Sequence, residues 1–434
     1  MFAVLFICGG VLLIRLRGFP LTSPVRVIKG LMGKNMLSSF KAMTVALAGT
    51  LGVGNIVGVA TAIHMGGAGS VFWMIVSALV AMVIKYAEIY LAILYRQGKH
   101  GGAAYYIRDG LGLPRLAGLF SVLCIIASFT VGNIIQVNAA ALSFESEFNI
   151  PPVWIGIIIA IVAFLVIYKG IGRISSFTLR MIPILSVTYI IVSLILICTN
   201  YTLIPDIIKN IITSAFTPDS AVGGVLGFLI MKSLRYGVVR GIGSNEAGCG
   251  TAPTAHATAD TDSPVKQGYW GIFEVFVDTV LLCTLTALVI LMYPQHIAEY
   301  DGMVLAIKAY ESFYGGAAGY LLAGAIFFFA LSTVICWSYY AVESIYYFTK
   351  KEVYKKGGES PRPYYAGKLS DSNHTESRKF LFIKRIYIVA YCLVCIVGAV
   401  LSLEFVWELS DITIALMTII NCICIIKLRN EINC

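Results

Sequence analysis

Residues 46–59 read A-L-A-G-T-L-G-V-G-N-I-V-G-V and lie near the middle of an apolar run covering residues 43–65. A run of that length crosses a bilayer, for which roughly 20 residues suffice. Three glycines, Gly49, Gly52 and Gly54, crowd its centre, and Asn55 follows at once. Each glycine costs an uninterrupted helix about 1 kcal/mol relative to alanine, so the cluster favours a break at membrane depth. Broken backbone cannot face lipid there. Its freed N–H and C=O groups must meet protein, water or a ligand, and a half-helix N-terminus suits an anion while exposed carbonyls suit a cation. Two readings stand at this point: a solute-and-ion site, or a seam where small residues let two helices approach closely.

Composition fixes the class. Of 434 residues, 58% are hydrophobic and 13% charged, against about 25% charged in soluble domains, which makes the chain an all-α polytopic membrane protein. The net charge of +9 does not point to nucleic acid, because the lysines and arginines fall in alternate short loops, a signature of topology. Most cysteines stand singly inside apolar runs, as Cys124, Cys198, Cys283 and Cys336 do, and are expected to be free small hydrophobes. Cys392-x-x-Cys395 and Cys422-x-Cys424 have no accompanying histidine or second pair to make a metal or redox site.

Taken in order, the apolar stretches give about eleven spans. Residues 2–14 are short of the roughly 30 Å hydrocarbon core, so this helix is tilted or extends upstream; with no basic segment before it and Arg15 and Arg17 after it, it is not a signal peptide. The basic connection that follows is read as cytoplasmic, which puts the N-terminus outside and, after eleven crossings, the C-terminus inside. Lys85 and Glu88, three apart in the third span, are expected to pair. The fourth span carries Asn133, Gln136 and Asn138, side chains that glue helices or touch solute. An amphipathic outer helix over residues 205–227 leads into Gly223-Gly224 and Gly227, read as a second break, and residues 237–253 are read as a polar cytoplasmic segment. Glu274 and Asp278 in the eighth span face the bundle and pair with Lys232 or Arg235 or carry protons. Residues 350–385, the longest soluble connection, are expected inside.

The two expected breaks lie five spans apart, so their helices run in opposite directions. That is the arrangement of an inverted five-plus-five repeat with two discontinuous helices at its centre. Residues 1–38 then form a peripheral helix and loop, residues 39–199 the first repeat and residues 200–430 the second. The solute-site reading of residues 46–59 gains accordingly.

Gly52-Val53-Gly54-Asn55 with Gly58-Val59-Ala60, and Arg240-Gly241 with Ser244-Asn245-Glu246-Ala247-Gly248-x-Gly250-x-Ala252-Pro253, carry a family likeness. So do Gly132-Asn133-x-x-Gln136-x-Asn138, Asp278-Thr279 and Trp337-Ser338-Tyr339-Tyr340. Across essentially its whole length the sequence resembles the alanine/glycine:cation symporter family. The resemblance implies a leucine-transporter-type fold in a prokaryotic plasma membrane, coupling to sodium or protons, and a small neutral amino acid as substrate. It further implies that Gly52, Val53, Gly54 and Asn55 bind the substrate carboxylate, and that Gln136 with Gly223, Gly224, Val225 and Gly227 lines the pocket. The Ala48 and Leu51 carbonyls with the Ser332 and Thr333 hydroxyls match the family's Na⁺ site. Val53 stands where the family usually has threonine, and Val225 where it usually has phenylalanine.

On physical grounds Arg240, Asn245 and Glu246 are read as an inner gate, with Glu246 pairing with an arginine such as Arg240. Ser332 and Thr333 have a second reading, hydrogen bonds to carbonyls one turn back on their own helix. An enzyme is disfavoured because the five histidines are scattered. A sensor built on a transporter scaffold is the remaining alternative.

Overall fold

In the computed structural model, the described residues are 1–19, 21–33, 35–216, 225–261, 263–349, 377–401 and 404–434. Among them the regular elements are helices. The chain opens with α1 (Phe2–Arg15) and the short α2 (Pro24–Leu31). The apolar run of residues 43–65 is not one rod. It is divided between α3 (Met36–Thr50) and α4 (Val57–Gly66), with a bend of 66° across the glycine cluster.

Next come α5 (Gly69–Leu94), α6 (Pro114–Phe148), α7 (Pro152–Ile167) and α8 (Ile171–Thr199). Prolines at the first turn of α6 and α7 fit there because that turn has no intrahelical acceptor for an N–H. An amphipathic helix, α9 (Ile204–Phe216), buries Ile207, Ile211 and Ala215 at four-residue spacing against α5 and leaves Ile208 and Ile212 exposed.

The second half comprises α10 (Val225–Asn245), α11 (Pro264–Leu291), α12 (Gly302–Tyr314), α13 (Ala317–Thr349), α14 (Arg378–Val400) and α15 (Glu404–Lys427). Seven helices among the described residues are long and apolar enough to span a membrane, eight with the bent pair counted as one, and α1 and α7 are shorter apolar helices. All eleven cysteines are free.

The structure shows a discontinuity after Asn245. Gly223 and Gly224 lie outside the described residues, and Val225 and Gly227 belong to α10, which continues without interruption to Asn245. Gly237 and Gly241 serve packing. A Cβ on Gly237 would fall 2.3 Å from the Ser70 carbonyl oxygen, and one on Gly241 would fall 2.5 Å from Ser77 Oγ, so α10 lies directly on the backbone of α5. The helix stops at residues 246–251 and resumes as one short turn, Ala252–His256. Glu246 takes a left-handed φ of +53°, and Gly248 and Gly250 take +84° and +76°. Such a conformation is uncommon for a residue with a Cβ and persists only where its surroundings hold it.

Candidate functional site

The first break is shaped by what a side chain would strike. A Cβ on Gly52 would sit 2.7 Å from Gln136 Oε1 and 2.8 Å from Thr333 Oγ1, so only glycine lets α6 and α13 close on the broken backbone. The freed backbone groups then find partners. The Gly52 N–H donates to Asn55 Oδ1 at 3.1 Å, and the Val53 N–H donates to Gln136 Oε1 at 3.0 Å. Gln136 is held by its own Nε2, which donates to the Val131 carbonyl at 3.1 Å, within a π-helical turn over Thr130–Ile134. Its amide oxygen thus occupies the position at which a carboxylate oxygen would meet the Val53 N–H.

On the other side of the break, oxygens converge. Thr333 Oγ1 lies 3.1 Å from the Ala48 carbonyl oxygen, 3.4 Å from that of Leu51 and 3.0 Å from that of Phe329. One hydroxyl has one hydrogen, so two of the three carbonyls lack it. A dense group of hard oxygens with unshared lone pairs is what a small hard cation takes up. Ser332 is placed differently: its hydroxyl donates to Phe329 at 2.8 Å, one turn back on its own helix.

The two breaks face each other. Asn55 Nδ2 reaches Ser244 Oγ at 2.9 Å and Asp278 Oδ1 at 2.9 Å. The Asp278 carboxylate also accepts from Ser244 Oγ and Thr279 Oγ1, each at 2.7 Å. Asn245 Nδ2 donates to Thr279 Oγ1 at 3.1 Å. Asp278 is fully buried in a π-helical stretch of α11, Phe276–Cys283. Such wide turns recur at functional sites because they re-aim a side chain without ending the helix. Asp278 therefore belongs to the join between the breaks and does not pair with Lys232 or Arg235.

Three further expected pairings are corrected. Lys85 meets Glu274 of α11 at 3.3 Å and not its neighbour Glu88, whose carboxylate accepts from the Gly250 N–H at 3.0 Å and from Asn421. Glu274 in turn meets His256 Nε2 at 2.9 Å and not Lys232 or Arg235. Glu246 accepts from Thr251 Oγ1 at 2.6 Å and Trp337 Nε1 at 2.9 Å, where an ion pair with Arg240 was expected. Lys85 and Glu274 thus pair between helices, while Glu88 and Glu246 are satisfied by neutral donors, the other way a buried carboxylate is compensated.

Between the breaks lies a cavity of about 410 Å³, bordered by Val53, Gly54, Gln136, Arg240, Glu246 and Asp411 among others. The structure thus gathers Val53, Gly54, Gln136, Arg240 and Glu246 around one space and sets Gly52 and Asn55 beside it. Thr333, Ala48 and Leu51 meet at the first break outside that lining. Asp278, Thr279 and Ser244 are the members sequence reasoning passed over as site residues; the signal for Asp278 was a carboxylate in an apolar span.

The model of the sodium:alanine symporter family matches residues 1–357 and 364–433. The chain is 37% identical to an uncharacterized transporter of Haemophilus influenzae, over 92% of this chain and 83% of that protein. It is 34% identical to the sodium/alanine symporter AgcS of Methanococcus maripaludis, over 91% of this chain and 83% of the other. To the probable sodium/glutamine symporter GlnT of Bacillus subtilis it is also 34% identical, over 92% and 78%. Among solved structures it is similar in fold to a Na⁺-coupled sialic acid symporter in its substrate-bound outward-open state, with a TM-score of 0.58, 16% identity, and coverage of 98% of this chain and 86% of that one.

Proposed function

Because the chain belongs to the sodium:alanine symporter family, and is therefore an integral membrane transporter and not an enzyme, we propose that it couples inward movement of Na⁺ to uptake of alanine or glycine by alternating access. The observation that carries this reading is the shared backbone of the first break: carbonyls of Ala48 and Leu51 gather at Thr333 on one side, and the Val53 N–H faces Gln136 on the other. In this reading the cation sits among those carbonyls and the Thr333 hydroxyl, with Ser332 contributing less because it is engaged on its own helix. The amino-acid carboxylate replaces Gln136 Oε1 at the Val53 N–H, where the half-helix dipole favours negative charge. Each ligand fixes a backbone geometry that the other needs, and such coupling is reciprocal.

The ammonium group is assigned to the second break, near Ser244 and Glu246, in place of Gly223 to Gly227. Arg240 borders the solute space, while Asn245 and Glu246 hold the second break itself. Basic residues alternate from loop to loop, so we place residues 350–385 and the C-terminus in the cytoplasm, with the N-terminus outside.

Uptake of labelled alanine, glycine and glutamine into proteoliposomes tests the proposal. With an inward Na⁺ gradient, alanine and glycine should accumulate and compete with one another, and replacing Na⁺ by choline should abolish accumulation. Accumulation driven by a proton gradient in the absence of Na⁺ would overturn the assignment of the ion. Selective accumulation of glutamine would overturn that of the substrate.

A further inference from the structure

A second cavity, of about 480 Å³, lies away from the transport path where α1 ends and α2 begins. Three arginines border it, Arg15, Arg17 and Arg26, together with Phe19 and the hydroxyl-bearing Thr22 and Ser23. Residues 432–434 close the remaining side. Phe19 is buried, packing edge-on against Tyr86 at 5.5 Å and tilted against Tyr269 at 5.6 Å.

The arginines are positioned and not simply scattered. Arg15 is pinned through Nε to the Arg429 carbonyl at 3.3 Å and through Nη2 to that of Asn430 at 3.2 Å. A guanidinium has five N–H groups, so its fork keeps donors for another acceptor. Arg17 is one of three non-glycine residues with positive φ among the described residues, at +53°. The turn containing it is closed by the Gly18 N–H on the Leu13 carbonyl at 2.8 Å. Glycine would take that conformation at no steric cost, and an arginine there is held against its own preference.

The neighbouring helix identifies the surroundings. Along α2, Val25 and Ile28 lie on one face at positions i and i+3 and are 62% and 55% exposed, and Met32, just past the helix end, is 65% exposed. The opposite side packs on the protein, with Val27 buried and Gly30 against the Tyr269 ring. A short helix with an apolar stripe turned outward and Arg26 and Lys29 beside it lies in the plane of a membrane interface, its stripe among acyl chains. An anion that can fill the arginine-lined cavity while its remainder lies along that stripe is amphiphilic.

We propose that this cavity is a binding site for the phosphate headgroup of an anionic phospholipid, with Arg15, Arg17 and Arg26 as its ligands and α2 as the rest for its acyl chains. A bidentate guanidinium contact to phosphate is the chemistry these side chains serve best. Because α2 and Phe19 both pack on Tyr269 of α11, the bound lipid would brace the helix that carries Asp278.

The test uses the purified full chain in detergent, titrated with phosphatidylglycerol or with phosphatidylcholine of the same acyl composition, and read by native mass spectrometry and by thermal unfolding. Phosphatidylglycerol should be retained with at least a tenfold preference and should raise the melting temperature, both effects declining as salt is added. The double variant Arg15→Gln with Arg26→Gln should lose the preference. Arg17→Gly separates binding from folding: glycine suits that φ, so the variant should melt no lower than the parent without lipid and yet retain less phosphatidylglycerol. Equal retention of the two lipids by the parent would overturn the proposal, as would parent-like retention of phosphatidylglycerol by both variants. Inorganic phosphate stabilising the parent as strongly as phosphatidylglycerol would overturn the lipid as occupant.

Discussion

The two breaks interrupt their helices by opposite means. At the first, residues 51–56, glycine removes side chains so that Gln136 and Thr333 can approach bare backbone, and the groups left over are main-chain carbonyls and N–H groups. At the second, residues 246–251, a charged residue sits in a left-handed conformation and is tied by its carboxylate to Thr251 and Trp337. The first is therefore a break whose backbone is met by neutral side-chain groups, Gln136 at the Val53 N–H and Thr333 at the Ala48 and Leu51 carbonyls. The second is a break whose geometry is secured by side chains, with Glu88 holding the Gly250 N–H from α5. Ligand chemistry should be concentrated at the first and conformational control at the second.

The largest expected effect falls on the first break. Gly52→Ala would place a Cβ within 2.8 Å of both Gln136 and Thr333, so uptake should drop by about a hundredfold or more, roughly 2.7 kcal/mol, while membrane levels remain near normal. Near-normal uptake would mean that the first break is a packing seam and would erase the contrast.

A smaller, ion-specific effect should separate two adjacent hydroxyls. Thr333→Ala removes the group on which Ala48 and Leu51 converge and should raise the Na⁺ concentration for half-maximal uptake about tenfold, or about 1.4 kcal/mol. Ser332→Ala should raise it no more than about twofold, since its hydroxyl bonds to Phe329 at 2.8 Å, and surplus bonds of that kind contribute about 1 kcal/mol or less. Sodium titrations of alanine uptake decide the matter, and equal shifts in the two variants would restore Ser332 to the ion site.

The smallest effect is expected at the second break. Glu246→Gln keeps the shape but leaves only one acceptor for Thr251 and Trp337, so the transport rate should fall several-fold while substrate binding changes by less than about twofold. Binding measured without transport, by scintillation proximity, distinguishes the cases. Loss of binding in a folded variant would move the second break into the ligand site proper.

Much of this was legible in the chain. The first break could be read because three glycines in six residues destabilise a helix in the middle of an apolar span, and Asn55 follows them at once. The second could not be found the same way. In its glycine-rich approach, Gly237 and Gly241 form a seam against Ser70 and Ser77, the very alternative that had to be weighed for residues 46–59. Local composition does not distinguish a glycine that ends a helix from one that admits a neighbour. Nor did spacing reveal that Lys85 would choose Glu274 over Glu88, or that wide turns would aim Gln136 and Asp278 inward, because those outcomes depend on which helices become adjacent.

Helix α13 touches both breaks within about one turn, through Thr333 at the first and Trp337 at the second. It also leaves no slack on its other side, where a Cβ on Gly132 would fall 2.4 Å from the Trp337 side chain. In mechanical terms this rod links the two contacts: a displacement of α13 that parts Thr333 from the Ala48 and Leu51 carbonyls carries Trp337, the donor to Glu246, with it, because a single helical turn separates them. Under the symport proposed above, the same link would oppose slippage, the crossing of either passenger alone.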